Sequence, residues 1–424
     1  MRLDNVFNTV MHVASLLRQE ISPANETSQP PPFLSTTNNH ESQSQSATPS
    51  LKPWSVRMAD SVILQSPDLV LYNGATKVKW KYDFAMLGIA ISKLDDGSQN
   101  TKYYRYAKDF MDDLVLSDGT MIKYDMDAYN LDYVQPAKLL LLLYQETGEP
   151  QYLSSIETIV RQLEDQPRTE SGGHFHKLRY PYQMWLDGIY MSSPFMAQYA
   201  EAFGEHKWHD EAVFQMTHIY EKTRDEDTGL MFHAWQETRE EEWSDPVTGQ
   251  SPSFWGRAMG WYLMGVVDSL DFIPDDEGRE ELVAILKNTT AALLKVRDEE
   301  YHLWYQVLDQ GNREGNYLEA SASAMFTYVF AKAAKKGYID AKYYDIAMES
   351  FDAMLDQFIT VEEGDDEGGD EIITLNNVAS GIGLGFGGGM YRDGSFEYYT
   401  GVDVIGNDAK GVGPFILAAI ELGR

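Results

Sequence analysis

The spacing of apolar positions along this chain is helical from Trp54 almost to the end. Apolar residues recur at intervals of three and four, which predicts helices near 54–65, 81–94, 101–115, 132–147, 150–164 and 184–203. The same pattern predicts six more near 207–223, 254–272, 278–296, 318–336, 340–358 and 412–422. Most pair through short polar turns such as Thr147-Gly148-Glu149-Pro150 and Gly337-Tyr338-Ile339-Asp340. Between the pairs lie short pieces that alternate polar with apolar residues, as half-buried strands do: 118–124, 172–176, 228–233, 301–305 and 393–398. Helical hairpins with strand-like insertions on one rim predict an all-α fold, an (α/α)6 barrel in which six hairpins close into a ring and the inner helices line a cavity. An open helical solenoid shares this periodicity. The irregular spacing, and insertions that are not copies of one another, favour the ring.

Residues 22–52 break the pattern. Rich in Ser, Thr, Gln, Asn and Pro, they carry too little apolar surface to order themselves, so residues 1–52 are expected to be a largely low-complexity, flexible N-terminal segment. Residues 53–424 are then one catalytic-sized domain. The first 22 residues are amphipathic without the continuous apolar stretch of a secretory signal, and no run approaches a membrane span, so a cytoplasmic protein is expected.

Composition removes several classes of function. Among 424 residues there are 66 acidic and 34 Lys or Arg side chains, a formal net charge of −32, which argues against nucleic-acid and anionic-membrane partners. Acidic runs such as Asp365 to Asp370 and Asp275 to Glu281 read as solvated surface. Cysteine is absent, so neither a disulfide framework nor a thiolate metal site exists. With 26 Tyr and 9 Trp the chain is generous in aromatics, which fill cores and also stack on sugar rings.

Candidate chemistry concentrates in residues 172–191. Asp187 follows Met184, Trp185 and Leu186, an apolar setting that disfavours its charged form and suggests a carboxylic acid kept protonated for proton donation. Asp132, near the start of an apolar helix, is a second candidate, against the plainer reading of a helix-cap carboxylate. Should the two share a cavity, their repulsion would sort them into an acid and a carboxylate. His174 and His176 fall on one face of an extended piece, with Lys177 beside them and His233 on the next insertion. No metal motif accompanies them, so hydrogen-bonding or pocket histidines are expected. Arg257, amid apolar and small residues, needs an anion, either an internal carboxylate or one on a substrate, and Trp261 one turn on offers a stacking surface.

Met184-Trp185-Leu186-Asp187-Gly188, Ser253-Phe254-Trp255-Gly256-Arg257-Ala258-Met259-Gly260-Trp261, Glu319-Ala320-Ser321-Ala322-Ser323-Ala324-Met325 and Lys410-Gly411-Val412-Gly413-Pro414-Phe415 occur in that order. As a set they resemble glycoside hydrolase family 105, the unsaturated rhamnogalacturonyl hydrolases, related to the unsaturated glucuronyl hydrolases of family 88. The resemblance runs from about Trp54 to the C-terminus. It implies an (α/α)6 barrel, no metal or organic cofactor, and a small oligosaccharide substrate ending in a Δ4,5-unsaturated uronic acid, taken by a monomer or homodimer. It implies that Asp187 protonates C4 and helps water add at C5, with Asp132 holding ring hydroxyls. It places His176, Lys177, His233, Arg257 and Trp261 in the sugar pocket, with Tyr82 at the entry of the first inner helix. Met259 departs from the polar residue many relatives carry there. Because substrate and protein are both anionic, Lys177, Arg257 and His176 or His233 are expected to make the pocket locally positive. The alternatives are an unsaturated glucuronyl hydrolase, a conventional inverting glycosidase with two carboxylates about 6.5–9.5 Å apart, and a helical-repeat binding scaffold.

Overall fold

The computed structural model describes residues 52–362 and 370–424. The flexible segment expected over residues 1–52, Lys52 aside, and the acidic run before Asp370 lie outside the described residues. No helix among the described residues is long and apolar enough to cross a membrane.

Among the described residues, twelve long helices form where the periodicity predicts them: α1 (Trp54–Gln65), α2 (Tyr82–Ser92), α3 (Lys102–Asp112), α4 (Ala137–Thr147), α5 (Pro150–Glu164), α6 (Leu186–Phe203), α7 (Lys207–Thr223), α8 (Gly256–Ser269), α9 (Glu277–Lys295), α10 (Ala320–Lys335), α11 (Lys342–Phe358) and, after the short α12 (Phe396–Thr400), α13 (Ala409–Leu422). The inner six pack in succession, α2 to α4, α6, α8, α10 and α13, and α13 returns to α2. That closes the ring and rules out the open solenoid. Each inner helix is backed by an outer one, and the sixth hairpin joins the two chain ends: α1 packs on α13, and Ser55 N donates to Arg424 O. The fold is the six-hairpin (α/α)6 barrel.

Inner and outer helices differ as their sequences require. α10 is buried on every face from Ala320 to Ala333, because it touches two inner neighbours and its own outer partner. α3 buries one stripe, with Tyr104, Ala107, Phe110 and Met111, and leaves Lys102 and Arg105 to water. Turn chemistry fixes the hairpins: Gly148 caps α4 at φ +69°, where a side chain would be strained, and Pro150 opens α5. α6 and α8 approach closely because Gly265 lacks a Cβ, which would stand 2.9 Å from Ile189 Cγ2 and 3.1 Å from Tyr190 N. Pro194 lies inside α6 and cannot donate to the carbonyl of Tyr190 four residues back. Lys138 Nζ of α4 occupies that oxygen instead, at 3.4 Å.

The alternating pieces need correction. Val115 with Met121, Arg168 with His174 and Arg224 with Met231 make only isolated bridges, and Phe396–Thr400 is a short helix. The strands are two-stranded antiparallel pairs elsewhere. One joins β1 (Gln183–Trp185) and β2 (Ala234–Gln236), with Trp185 opposite Ala234. That pair leads directly into the chemistry of the barrel mouth.

Candidate active site

Asp187 is the second residue of α6, and the β1–β2 pair fixes its entry, with Leu186 N donating to His233 O. The register sets His233 beside Asp187: Nε2 lies 3.2 Å from Asp187 Oδ2. The ring N–H is not aligned on that oxygen, and both atoms lack a hydrogen-bond partner. His233 Nδ1 pairs with the Tyr399 hydroxyl at 2.8 Å, and the ring sits edge-on to Trp255 at 4.7 Å. Burial pushes the Asp187 carboxyl up, as its apolar flank suggested, and Asp132 adds to that. His233 and then His176 outweigh them and hold it below the ordinary carboxylate value. His233, in contact, carries most of that effect, because His176 is itself kept uncharged, well below the usual histidine range, by burial and then Lys177. Asp187 in the open site is therefore a carboxylate, not the protonated acid expected from its neighbours in sequence. The two imidazoles that reverse the sign arrive from other elements.

Asp132 lies in a 3-10 turn (Leu131–Tyr133) ahead of α4. Asn130 caps that turn, so the cap reading of Asp132 fails. Its Oδ2 accepts from Lys177 Nζ at 2.5 Å, and its Oδ1 is 3.5 Å from His176 Nε2. The backbones are tied as well, Leu131 N to His176 O. His176 stacks on Trp185 at 4.6 Å and packs against Gly188, where a Cβ would meet its Nδ1 at 3.2 Å. His174 does not share this face: its ring nitrogen lies 3.3 Å from Glu211 on α7, and burial pushes it down to about 3. The segment is not extended enough to keep the two histidines together.

Arg257 is 1% exposed and has internal partners. It donates to the carbonyls of Ala379 and Ser380 and to Ser321 Oγ, and stands 3.7 Å from Glu319. Trp261, 0% exposed, has no face free for a sugar: it packs edge-on to Tyr82 at 6.0 Å and tilted on Tyr190 at 4.9 Å. Its stacking role in the expected pocket is thus corrected to a supporting one, because α8 is an inner helix covered on all sides. Tyr82 is half-buried at the start of α2. Burial, then Asp83, Asp132 and Asp187, push its phenol well above the ordinary value, which puts it in the field of both candidate carboxylates.

A cavity of about 740 Å³ opens beside these groups, and Asp132, Tyr133, Trp80 and Tyr82 line it. Of the eight expected site residues only Asp132 and Tyr82 line it directly. A separate cavity of about 380 Å³, with Asp118, Asp125 and Ser154, holds none of them. Sequence reasoning assigned no role to Tyr399, Trp185 or Glu319. Trp185 and Glu319 were within reach as members of quoted motifs, whereas Tyr399 is 166 positions from its histidine and carries no local signal.

The sequence model of Glycosyl Hydrolase Family 88 matches residues 54–424. Among solved structures the chain is similar to a glycoside hydrolase from family 105 of C. acetobutylicum. That protein is 38% identical with a TM-score of 0.82, over 88% of this chain and 99% of that one. It is also similar to a 24.9 kDa protein in the picA locus of Rhizobium radiobacter, 35% identical over 231 residues, 54% of this chain and 97% of that protein. A third likeness is to an unsaturated 3S-rhamnoglycuronyl hydrolase of Formosa agariphila, 25% identical over 167 residues, 39% of this chain and 44% of that protein.

Proposed function

The chain belongs to Glycosyl Hydrolase Family 88 and is a glycoside hydrolase, and we propose that residues 53–424 remove a terminal Δ4,5-unsaturated uronic acid from lyase-generated oligosaccharides. The favoured substrate is a pectin fragment that ends in unsaturated galacturonyl-rhamnose. The carrying observation is Asp187: a sequestered carboxylate at the head of an inner helix, one oxygen unpartnered, in the field of a second carboxylate. The name of the Formosa relative supports the unsaturated class.

The reaction adds one water across an enol ether. Asp187 transfers a proton to C4, leaving positive charge shared by C5 and the ring oxygen. Water bonds to C5 and returns a proton to Asp187. The resulting hemiketal opens by cleavage of the bond between C5 and the ring oxygen, giving a ketone at C5 and a hemiacetal at C1. That hemiacetal expels the leaving sugar with its hydroxyl. Asp187 starts as a carboxylate, so its proton is taken up with the substrate: a uronate beside it, and the water it displaces, both disfavour the charged form. Asp132, steadied by Lys177, accepts from ring hydroxyls. His176 and His233 shape the walls, Tyr82 borders the ring, Trp261 backs Tyr82, and Arg257 fixes the 379–380 backbone over the site.

The test is ultraviolet absorbance of the unsaturated unit during incubation with lyase-digested rhamnogalacturonan and, separately, with lyase-digested chondroitin or ulvan. Loss in the first digest is expected. Loss only in the second would move the substrate to the glucuronyl branch, and loss in neither would overturn the reading.

A further inference from the structure

The cations expected to offset this protein's negative charge at the reacting sugar are already engaged. Lys177 is paired with Asp132, Arg257 faces Glu319, and His176 is uncharged. Unpaired cations border the cavity that Asp132 and Tyr82 line. Lys77, Lys79 and Lys123 border it, all exposed, and none meets a carboxylate among the described residues. A fourth lysine there, Lys81, is occupied by Asp83 at 3.2 Å. In a chain with 66 acidic against 34 basic side chains, three unpaired lysines around one opening run against the general balance.

The arrangement is also held in place. Residues 77–81 alternate, so Val78 and Trp80 point inward and the lysines outward. Trp80 anchors the strap: its Nε1 donates to Tyr133 O at 2.9 Å, and its ring packs edge-on to Tyr124 at 6.1 Å. That contact ties the strap to the turn bearing Lys123. Lys123 itself has φ +65°, a left-handed conformation unfavourable for a side chain of this kind and one that concentrates at binding sites.

We propose that this cavity is an outer subsite for a second anionic group, a carboxylate or sulfate carried by the oligosaccharide beyond its leaving sugar. The inference rests on the unsaturated uronyl hydrolase reading. With the unsaturated unit at Asp187, which is not part of the cavity's lining but interacts electrostatically with Asp132 and Tyr82 on it, the part of the substrate over the exposed lysines is its far end. A neutral leaving sugar would leave three ammonium groups unanswered. A charged sugar further along gives them a partner and makes anionic oligosaccharides longer than a disaccharide the better substrates.

The test compares kcat/KM for an unsaturated disaccharide and for a lyase-made tetrasaccharide whose third sugar is a uronate, in wild type and in the triple variant Lys77→Gln, Lys79→Gln, Lys123→Gln. The ratio of tetrasaccharide to disaccharide is expected to fall about tenfold in the variant, through KM. The tetrasaccharide with that uronate methyl-esterified should behave in wild type as the acid form does in the variant, and a sulfated analogue separates the two anion sources. An unchanged ratio overturns the subsite. Calorimetric binding of the saturated tetrasaccharide needs no turnover. Binding weakened by the triple variant in a protein that processes no unsaturated sugar would sink the enzymatic reading and keep the subsite. Binding that is insensitive to the variant would sink the subsite alone.

Discussion

Asp187 and Asp268 sit on adjacent inner helices, α6 and α8, with side chains 14% and 18% exposed, and both carboxyls are held below their ordinary value. They differ in what surrounds them. Asp268 Oδ1 accepts from the Tyr328 hydroxyl at 2.6 Å and from Lys332 Nζ at 2.7 Å, and Lys332 is shared with Asp271 at 2.6 Å. Asp187 has one misaligned imidazole and an oxygen with nothing to accept. Burial is equal, and satisfaction is not. A carboxylate oxygen that already accepts from a phenol and an ammonium is holding the barrel together, while one left short is available to a substrate.

Asparagine at the two positions should therefore separate activity from stability. Asp187→Asn is expected to lower kcat about a thousandfold, within the range of general acid–base losses, with the melting temperature unchanged or raised. Near-normal turnover would remove Asp187 from the chemistry. Asp268→Asn should do the reverse, costing about 3 kcal/mol in denaturant unfolding because Lys332 stays buried with Asp271 alone, while kcat of the folded enzyme is kept. If both variants lose activity and neither loses stability, the contrast is wrong.

The cluster around Asp268 contains a weak point that sharpens the comparison. Burial pushes Lys138 down to about 7, with Lys332 and Lys93 adding to it and Asp268 opposing. An unfolded lysine titrates near 10.4. Between those values the unfolded chain binds a proton that the folded chain lacks, so stability falls as pH drops from about 10.4 to about 7 and the penalty then stays constant. Lys138→Met should accordingly stabilise by about 2 kcal/mol at pH 7, with the gain over wild type shrinking toward pH 10 in paired urea titrations. The smallest effect is electrostatic. His233→Gln removes what holds Asp187 down, so the alkaline fall of kcat/KM should move to higher pH. A profile that does not move would deny His233 its hold on the acid.

How much of this was readable in the chain follows from the range of each signal. The helices were legible because a period of 3.6 is local, and Gly148 and Pro150 punctuate it in the places turn chemistry demands. The alternating pieces misled because five or six residues alternate as readily in a loop with one bridge as in a strand. Asp187, Asp132, His176 and Lys177 were singled out from their neighbours, and the structure brings these side chains near one another. The ionisation of Asp187 was missed because His233 and, behind it, Tyr399 come from distant segments. Trp261 was misplaced because sequence shows that an aromatic lies on a helix but not which of its sides are already covered.

The proline in α6 constrains the order in which this core could evolve. Replacing Pro194 first would restore an amide able to claim the Tyr190 oxygen and leave the Lys138 ammonium without a hydrogen-bond acceptor, facing the Tyr190 ring alone. Losing the lysine first leaves only a bare carbonyl, the lesser defect, which a later change at 194 can mend. A lineage drifting away from this pair has one passable road, and it begins at 138.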